Sequence, residues 1–221
     1  MRNAKVLWCL IAVVLAVAAT TAGLTSASAA WPARQHSLTH TARIVARPVT
    51  LAGRVAPGYT VSNGSGSIDC SDGTASPAAV ARNILFCSPD SEYAVACYPW
   101  SPHPHYALCL RNARTRNLAS IRHTGAMPQT LPPAHPTPLD LTLANGTKCS
   151  LRAGGTSATL HQHPGWNVYY YCNNGDAIWG PHPYGVNTSH AVWTVRTANS
   201  NGTGNVRTRN VAKAWFVGRH S

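Results

Sequence analysis

Acidic side chains are scarce in this chain: six Asp and Glu stand against eighteen Lys and Arg among 221 residues, for a formal net charge of +12. The six are Asp69, Asp72, Asp90, Glu92, Asp140 and Asp176, and no spacing brings two of them together. A glycoside hydrolase needs two facing carboxylates, so that chemistry has no basis here. Also missing are a Gly-x-Ser-x-Gly elbow, a His-Glu-x-x-His helix and a glycine loop followed by lysine, the signatures of α/β-hydrolases, zinc peptidases and P-loop enzymes. No helical period persists for four turns. Beyond the N-terminal region no apolar run approaches the roughly 20 residues needed to span a bilayer as a helix, so no transmembrane segment is expected in the mature chain.

What is present at the start is a leader pattern. Arg2 and Lys5 precede an apolar run from Val6 to Ala19, and Ala27-Ser28-Ala29 offers a small-residue cleavage site. This reads residues 1–30 as a secretory signal peptide and predicts a secreted protein, extracellular or associated with the cell wall. Residues 31–58, with scattered Pro, Arg and His, show no sustained period and read as an extended N-terminal arm. Residues 59–221 read as one β domain crossed by "AMPQTLPPAHPTP" (126–138), a Pro-rich strap or linker of polyproline character.

Cys9 leaves with the leader, and six cysteines remain: Cys70, Cys87, Cys97, Cys109, Cys149 and Cys172. An even count in an exported chain is the signature of disulfides, with fifteen pairings open in principle. Strand-length runs carry these cysteines: "NILFC" (83–87), "EYAVACY" (92–98), "HYALCL" (105–110), "KCSL" (148–151) and "VYYYC" (168–172). Three times a cysteine-bearing segment runs through polar or turn-rich residues to another cysteine, so pairing in sequence order is expected. Each closure is worth roughly 2 to 4 kcal/mol in the entropic model. "LDLTLANG" alternates Leu139, Leu141 and Leu143 against Asp140 and Thr142, and Asn145-Gly146 favours a tight hairpin. The fold class is therefore mainly β, a small disulfide-stabilised domain of antiparallel hairpins in a sandwich-like arrangement. "SPAAVARNIL" (76–85) is compatible with a short helix over 77–85, capped by Ser76.

"LANGTKCSLRAGG", "YYYCNNGDAIWG", "AVWTVRTA" and the terminal "AKAWFVG" resemble a group of uncharacterised exported proteins of mycobacteria and related actinobacteria, mainly over residues 139–218. The resemblance implies export and a cysteine-stabilised β fold, and it brings no catalytic residues.

Four constellations are candidates for function. "IDCSDG" (68–73) is similar to the start of the nucleophile helix in papain-like cell-wall endopeptidases, with Cys70 as nucleophile and His190 as base, although Asp72 stands where that motif has Gly. His103 and His105, and His161 and His163, form two His-x-His pairs able in principle to hold zinc or copper; His182 adds a third region. Arg111, Arg114, Arg116 and Arg122 form one basic run, and Arg207, Arg209, Lys213 and Arg219 another, both suited to anionic partners. Trp166, Tyr169 and Tyr171 offer faces that stack on sugar rings, with Tyr169 and Tyr171 sharing one side of a strand and Tyr170 on the other. Without a nucleic-acid-binding motif, an anionic wall polymer, glycan or lipid headgroup is the expected partner, and neither nucleic acid nor a cofactor is implied. The expected function is non-catalytic binding, with a Cys-His cell-wall hydrolase or a His-based metal-binding protein as the alternatives.

Overall fold

The alternating runs fold as fourteen strands in a computed structural model that describes residues 38–88, 94–152, 158–181 and 185–221. The proposed signal peptide, His182, Asp90 and Glu92 lie outside the described residues. The described chain is all β, without a helix, and no helix in it is long and apolar enough to cross a membrane.

Strand β1 (Ala42–Thr50) falls in the stretch expected to be an arm. It is extended but not solvated, pairing in parallel with the C-terminal strand and burying Val49 completely. The period-2 pattern of "RIVARPV" is short, and Pro48 interrupts it. Next, β2 (Thr60–Ala75), β3 (Leu85–Ser88), β4 (Cys97–Pro99), β5 (Tyr106–Cys109) and β6 (Asn117–Thr124) pair in chain order, and a parallel β2–β6 ladder closes them into a barrel. Of the described residues of "EYAVACY", Cys97 and Tyr98 belong to a strand, and Ala94, Val95 and Ala96 are buried in the approach to β4.

The second half builds a larger sheet from β7 (Asp140–Leu143), β8 (Lys148–Leu151), β9 (Thr159–Leu160), β10 (His163–Cys172), β11 (Asp176–Gly180), β12 (Val186–Asn187), β13 (Thr194–Asn199) and β14 (Arg207–His220). Its path runs β1-β14-β7-β8-β10-β11-β13-β12, and a further β13–β14 pairing returns six of these strands into a ring. Asn145-Gly146 makes the β7–β8 hairpin as expected: Gly146 has φ +87°, and the Asn145 side chain accepts the Thr147 N–H at 3.1 Å. Asn187 and Asn201 likewise accept N–H bonds from the Ser or Thr two residues on, whereas Asn63 lies inside β2.

The three disulfides pair in sequence order: Cys70–Cys87, Cys97–Cys109 and Cys149–Cys172. Cys97 faces Cys109 across the β4–β5 hairpin, and Cys149 faces Cys172 across β8 and β10, with Cα–Cα distances of 4.0 Å in both cases. The first two disulfides fill the β2–β6 barrel together with Ile68, Leu85, Ala107 and Ile121. Leu141, Leu143, Tyr170, Ile178, Val211 and Phe216 fill the ring of the larger sheet. A third core joins the two halves, with Tyr98, Leu108, Leu110 and Leu118 from one and Val49, Leu139 and Val217 from the other. Fully burying each such side chain is worth about 1.5–3 kcal/mol.

The helix expected over 77–85 does not form. The Val80 N–H donates to Val217 O and the Val217 N–H donates to Ala78 O, so this segment binds β14 instead of closing helical turns. Ala78 and Ala79 are both fully buried, and Asn83 sits at φ +58°. The Pro-rich segment connects β6 to β7 and is tied down along its length. The Asn83 side chain accepts the Thr130 N–H, the Thr137 N–H donates to Pro77 O, and the Tyr170 hydroxyl donates to Pro138 O at 2.7 Å.

Candidate functional site

Cys70 is chemically closed. Its sulfur is bonded to Cys87 inside the barrel, and a disulfide sulfur is not the thiolate a cysteine hydrolase requires. His190 is exposed on the loop before β13, in the other sheet, so the Cys70–His190 pair is not a catalytic dyad.

The histidine pairs are dispersed as well. The His103 ring packs against Trp100 with centroids 4.1 Å apart, and His163 stacks on Trp166 at 4.3 Å. His161 is exposed at the turn between β9 and β10. Among the described residues no three His, Cys, Asp or Glu side chains converge into a group able to hold a metal ion.

The aromatic platform fails for a backbone reason. A register shift between Val168 and Tyr170 breaks the alternation of β10, so Tyr169 and Tyr170 are both buried while Tyr171 is 45% exposed. Trp166 is engaged by the chain itself, through His163 and through the Arg196 guanidinium 4.8 Å from its ring centroid.

Arg114 is a structural cation. Asp140, set by alternation on the polar side of its strand, is fully buried; its carboxylate accepts the Ala113 N–H and the Ser150 hydroxyl, both at 2.6 Å, and meets Arg114 Nη2 at 3.3 Å. The same guanidinium donates to Leu141 O, Cys149 O and Ser150 Oγ. One side chain of the 110–116 loop thus ties the barrel to β7 and β8. Burial raises the Asp140 carboxyl above its ordinary value, against the opposing pull of Arg114, Ser150 and Ala113.

Arg219 is also committed. It donates from Nε to Arg82 O at 3.1 Å, from Nη1 to Thr50 O at 3.1 Å and from Nη2 to Asn83 O at 2.7 Å, with its guanidinium 5.4 Å from the Tyr98 ring. Burial lowers its basicity, and Tyr98 opposes that shift. Arg111, Arg116 and Arg122 remain exposed at separate places, Arg122 beside Tyr106 across the β5–β6 ladder. Arg207 and Arg209 lie two residues apart on β14, opposite Thr197 and Val195, and Lys213 is exposed further along the same strand.

Among the described residues, two adjoining clefts form a concave region that the basic runs indicate only through Arg219. A cleft of about 380 Å³ includes Leu51, Gly53, Arg82, Asn83 and Arg219 in its lining. A second, of about 530 Å³, includes Trp100, His105, His123 and Met127 at the end of the β2–β6 barrel. Both are lined by Pro99 and Ser101, so they adjoin across one turn. His105 and His123 are brought side by side because the His123 N–H donates to His105 O, which continues the β5–β6 register one step beyond Tyr106 and Arg122. The His123 ring nitrogens lie 2.9 Å from Pro104 O and 3.1 Å from Gly125 O. No Asp or Glu lines either cleft.

Protein-family models, curated proteins and solved structures contain no match to this chain. What remains to indicate a ligand is the chemistry of these clefts: arginine at one end, imidazole and indole at the other. Of this set only His105 and Arg219 were candidates from sequence. Arg82 is isolated in its segment, and His123 follows Arg122 at a position where only the ladder reveals its neighbour. Outside the clefts, Arg43 lies on β1, in the stretch that reads as an arm from sequence, and its guanidinium lies 4.9 Å from the Phe216 ring and 5.7 Å from the Trp193 ring.

Proposed function

We propose that this is an exported binding protein that holds an anionic component of the cell envelope or host surface, whether wall polymer, acidic glycan or lipid headgroup, and does not catalyse a reaction. The observation that carries this reading is the pair of adjoining clefts, lined by Arg82, Arg219, His105 and His123 with no carboxylate among the lining residues. A concavity lined by arginine concentrates anions, and binding of this kind weakens as salt screens it. Export is supported by the leader pattern, by three disulfides that suit an oxidising compartment, and by the resemblance to exported actinobacterial proteins. Chromatography of the purified protein on immobilised wall polymer, acidic glycan and anionic vesicles tests it. Retention that falls with added salt and weakens in Arg82→Gln is expected, and elution of the wild type in the void volume from all three would refute it.

A further inference from the structure

We infer that the face carrying Leu51 and Leu131 docks the protein onto an anionic lipid bilayer. The inference rests on the proposed binding of anions and names the partner as a membrane surface. These two leucines are the most exposed large apolar side chains among the described residues, at 73% and 65%. A lone exposed leucine is ordinary on a protein surface, but these two belong to segments gathered by one hydrogen-bond system. Arg219 donates to Thr50 O, next to Leu51, and to Asn83 O. Asn83 in turn exchanges two bonds with Thr130, next to Leu131: its N–H donates to Thr130 O and its side-chain oxygen accepts the Thr130 N–H, both at 3.0 Å.

Both leucines sit on firmly held backbone. The turn at 50–54 is closed by the Thr50 N–H to Arg54 O and the Gly53 N–H to Thr50 O, and Ser101 pins it by donating from Oγ to Ala52 O at 2.7 Å and from N–H to Gly53 O. Gly53 is required there, with φ +73° and Ser101 where a Cβ would stand. Leu131 precedes Pro132 and Pro133 in the tethered strap. Their exposure is therefore built in, and little ordering cost remains when they enter an apolar phase.

The surroundings select the sign of the surface. Exposed Arg54 closes the turn, and exposed Arg82 lines the cleft beside Leu51. No Asp or Glu occurs in residues 50–54, 79–83, 128–133 or 217–221, the segments tied together around the two leucines. Leucines projecting among arginines match a bilayer whose headgroups are anionic and whose acyl region begins just beneath.

The test is co-sedimentation with phosphatidylglycerol-rich and with pure phosphatidylcholine vesicles, in parallel with retention on a polyphosphate resin. Protein purified from culture medium is used, with intact mass verifying that the apolar run at 6–19 is gone. Binding to the phosphatidylglycerol vesicles is expected to weaken about tenfold for each of Leu51→Ser and Leu131→Ser and about fivefold for Arg82→Gln. Resin retention should be unchanged by Leu131→Ser, since Leu131 lines neither cleft. Leu51→Trp, which keeps an interfacial side chain, should retain vesicle binding, and Tyr171→Ser, a change at another exposed site, should leave it intact. Thermal unfolding of each variant separates lost binding from lost folding. Resin retention without vesicle binding, or vesicle binding indifferent to both serine substitutions, overturns the bilayer while leaving anion binding in place. Failure on resin and vesicles alike removes the broader reading as well.

Discussion

Replacing Arg114 with Ala removes the counter-charge of a carboxylate that is fully buried at the junction of the two halves. Asp140 would keep its bonds from Ala113 and Ser150, both 2.6 Å, but lose the guanidinium 3.3 Å away, and the carbonyls of Leu141 and Cys149 would lose their Arg114 donor. Breaking a buried pair from one side costs about 3–5 kcal/mol, because the remaining charge is left uncompensated. In a chain of this size that corresponds to a fall of about 10 °C in melting temperature. The sign with pH follows from Asp140. Its folded-state carboxyl is already raised above the ordinary 3.8 by burial. The stability tied to its protonation is therefore full below 3.8 and is lost as pH rises through the folded value. Without Arg114 that folded value rises further, so the penalty should be large at neutral pH and shrink on acidification as Asp140 takes up a proton. Urea unfolding of wild type and Arg114→Ala followed by tryptophan fluorescence at neutral and mildly acidic pH measures this, with Arg114→Ala/Asp140→Asn as the companion that abolishes the pH-dependent part. A loss below about 1 kcal/mol, or one identical at both pH values, would refute the buried-charge account.

Three further outcomes are expected. Intact-mass analysis of unreduced protein after thiol alkylation should show no added label, and Cys149→Ala/Cys172→Ala, which opens a span with a sequence separation of 23, should lose about 3 kcal/mol in chemical denaturation. Gly125→Ala should be destabilising by more than about 1 kcal/mol, since Gly125 has φ +70° and a Cβ there would lie 2.5 Å from that of Ser71; an unchanged denaturation midpoint would contradict the β2–β6 closure described here. Asp69, whose carboxylate accepts the Ser71 hydroxyl and N–H, is held below its ordinary value, so its contribution is present above 3.8 and lost as pH falls through the folded value; NMR titration of Asp69 in Ser71→Ala should show the carboxyl moving back up.

The sequence by itself determined the features that depend on neighbours along the chain. The period-2 run around Leu141 and the strand-length run at 168–172 marked strands, and Asn-Gly at 145–146 marked a hairpin because a positive φ is tolerated there. Cysteines at the ends of short strand-bearing segments marked their own partners, because strands joined by short connections meet. The tertiary structure alone decided what depends on residues distant in sequence. Residues 42–50 look like an arm until β14, some 170 residues later, offers its edge, and the 77–85 segment forgoes a helix because Val217 supplies its hydrogen bonds. Alternation sets Asp140 on the polar side of its strand, yet the 110–116 loop covers it and turns Arg114 from a surface cation into a buried partner. The same logic governs the candidate site. His105 and His123, or Arg82 and Leu51, carry no shared motif, and they become neighbours only because a β ladder and one guanidinium, Arg219, draw their segments together.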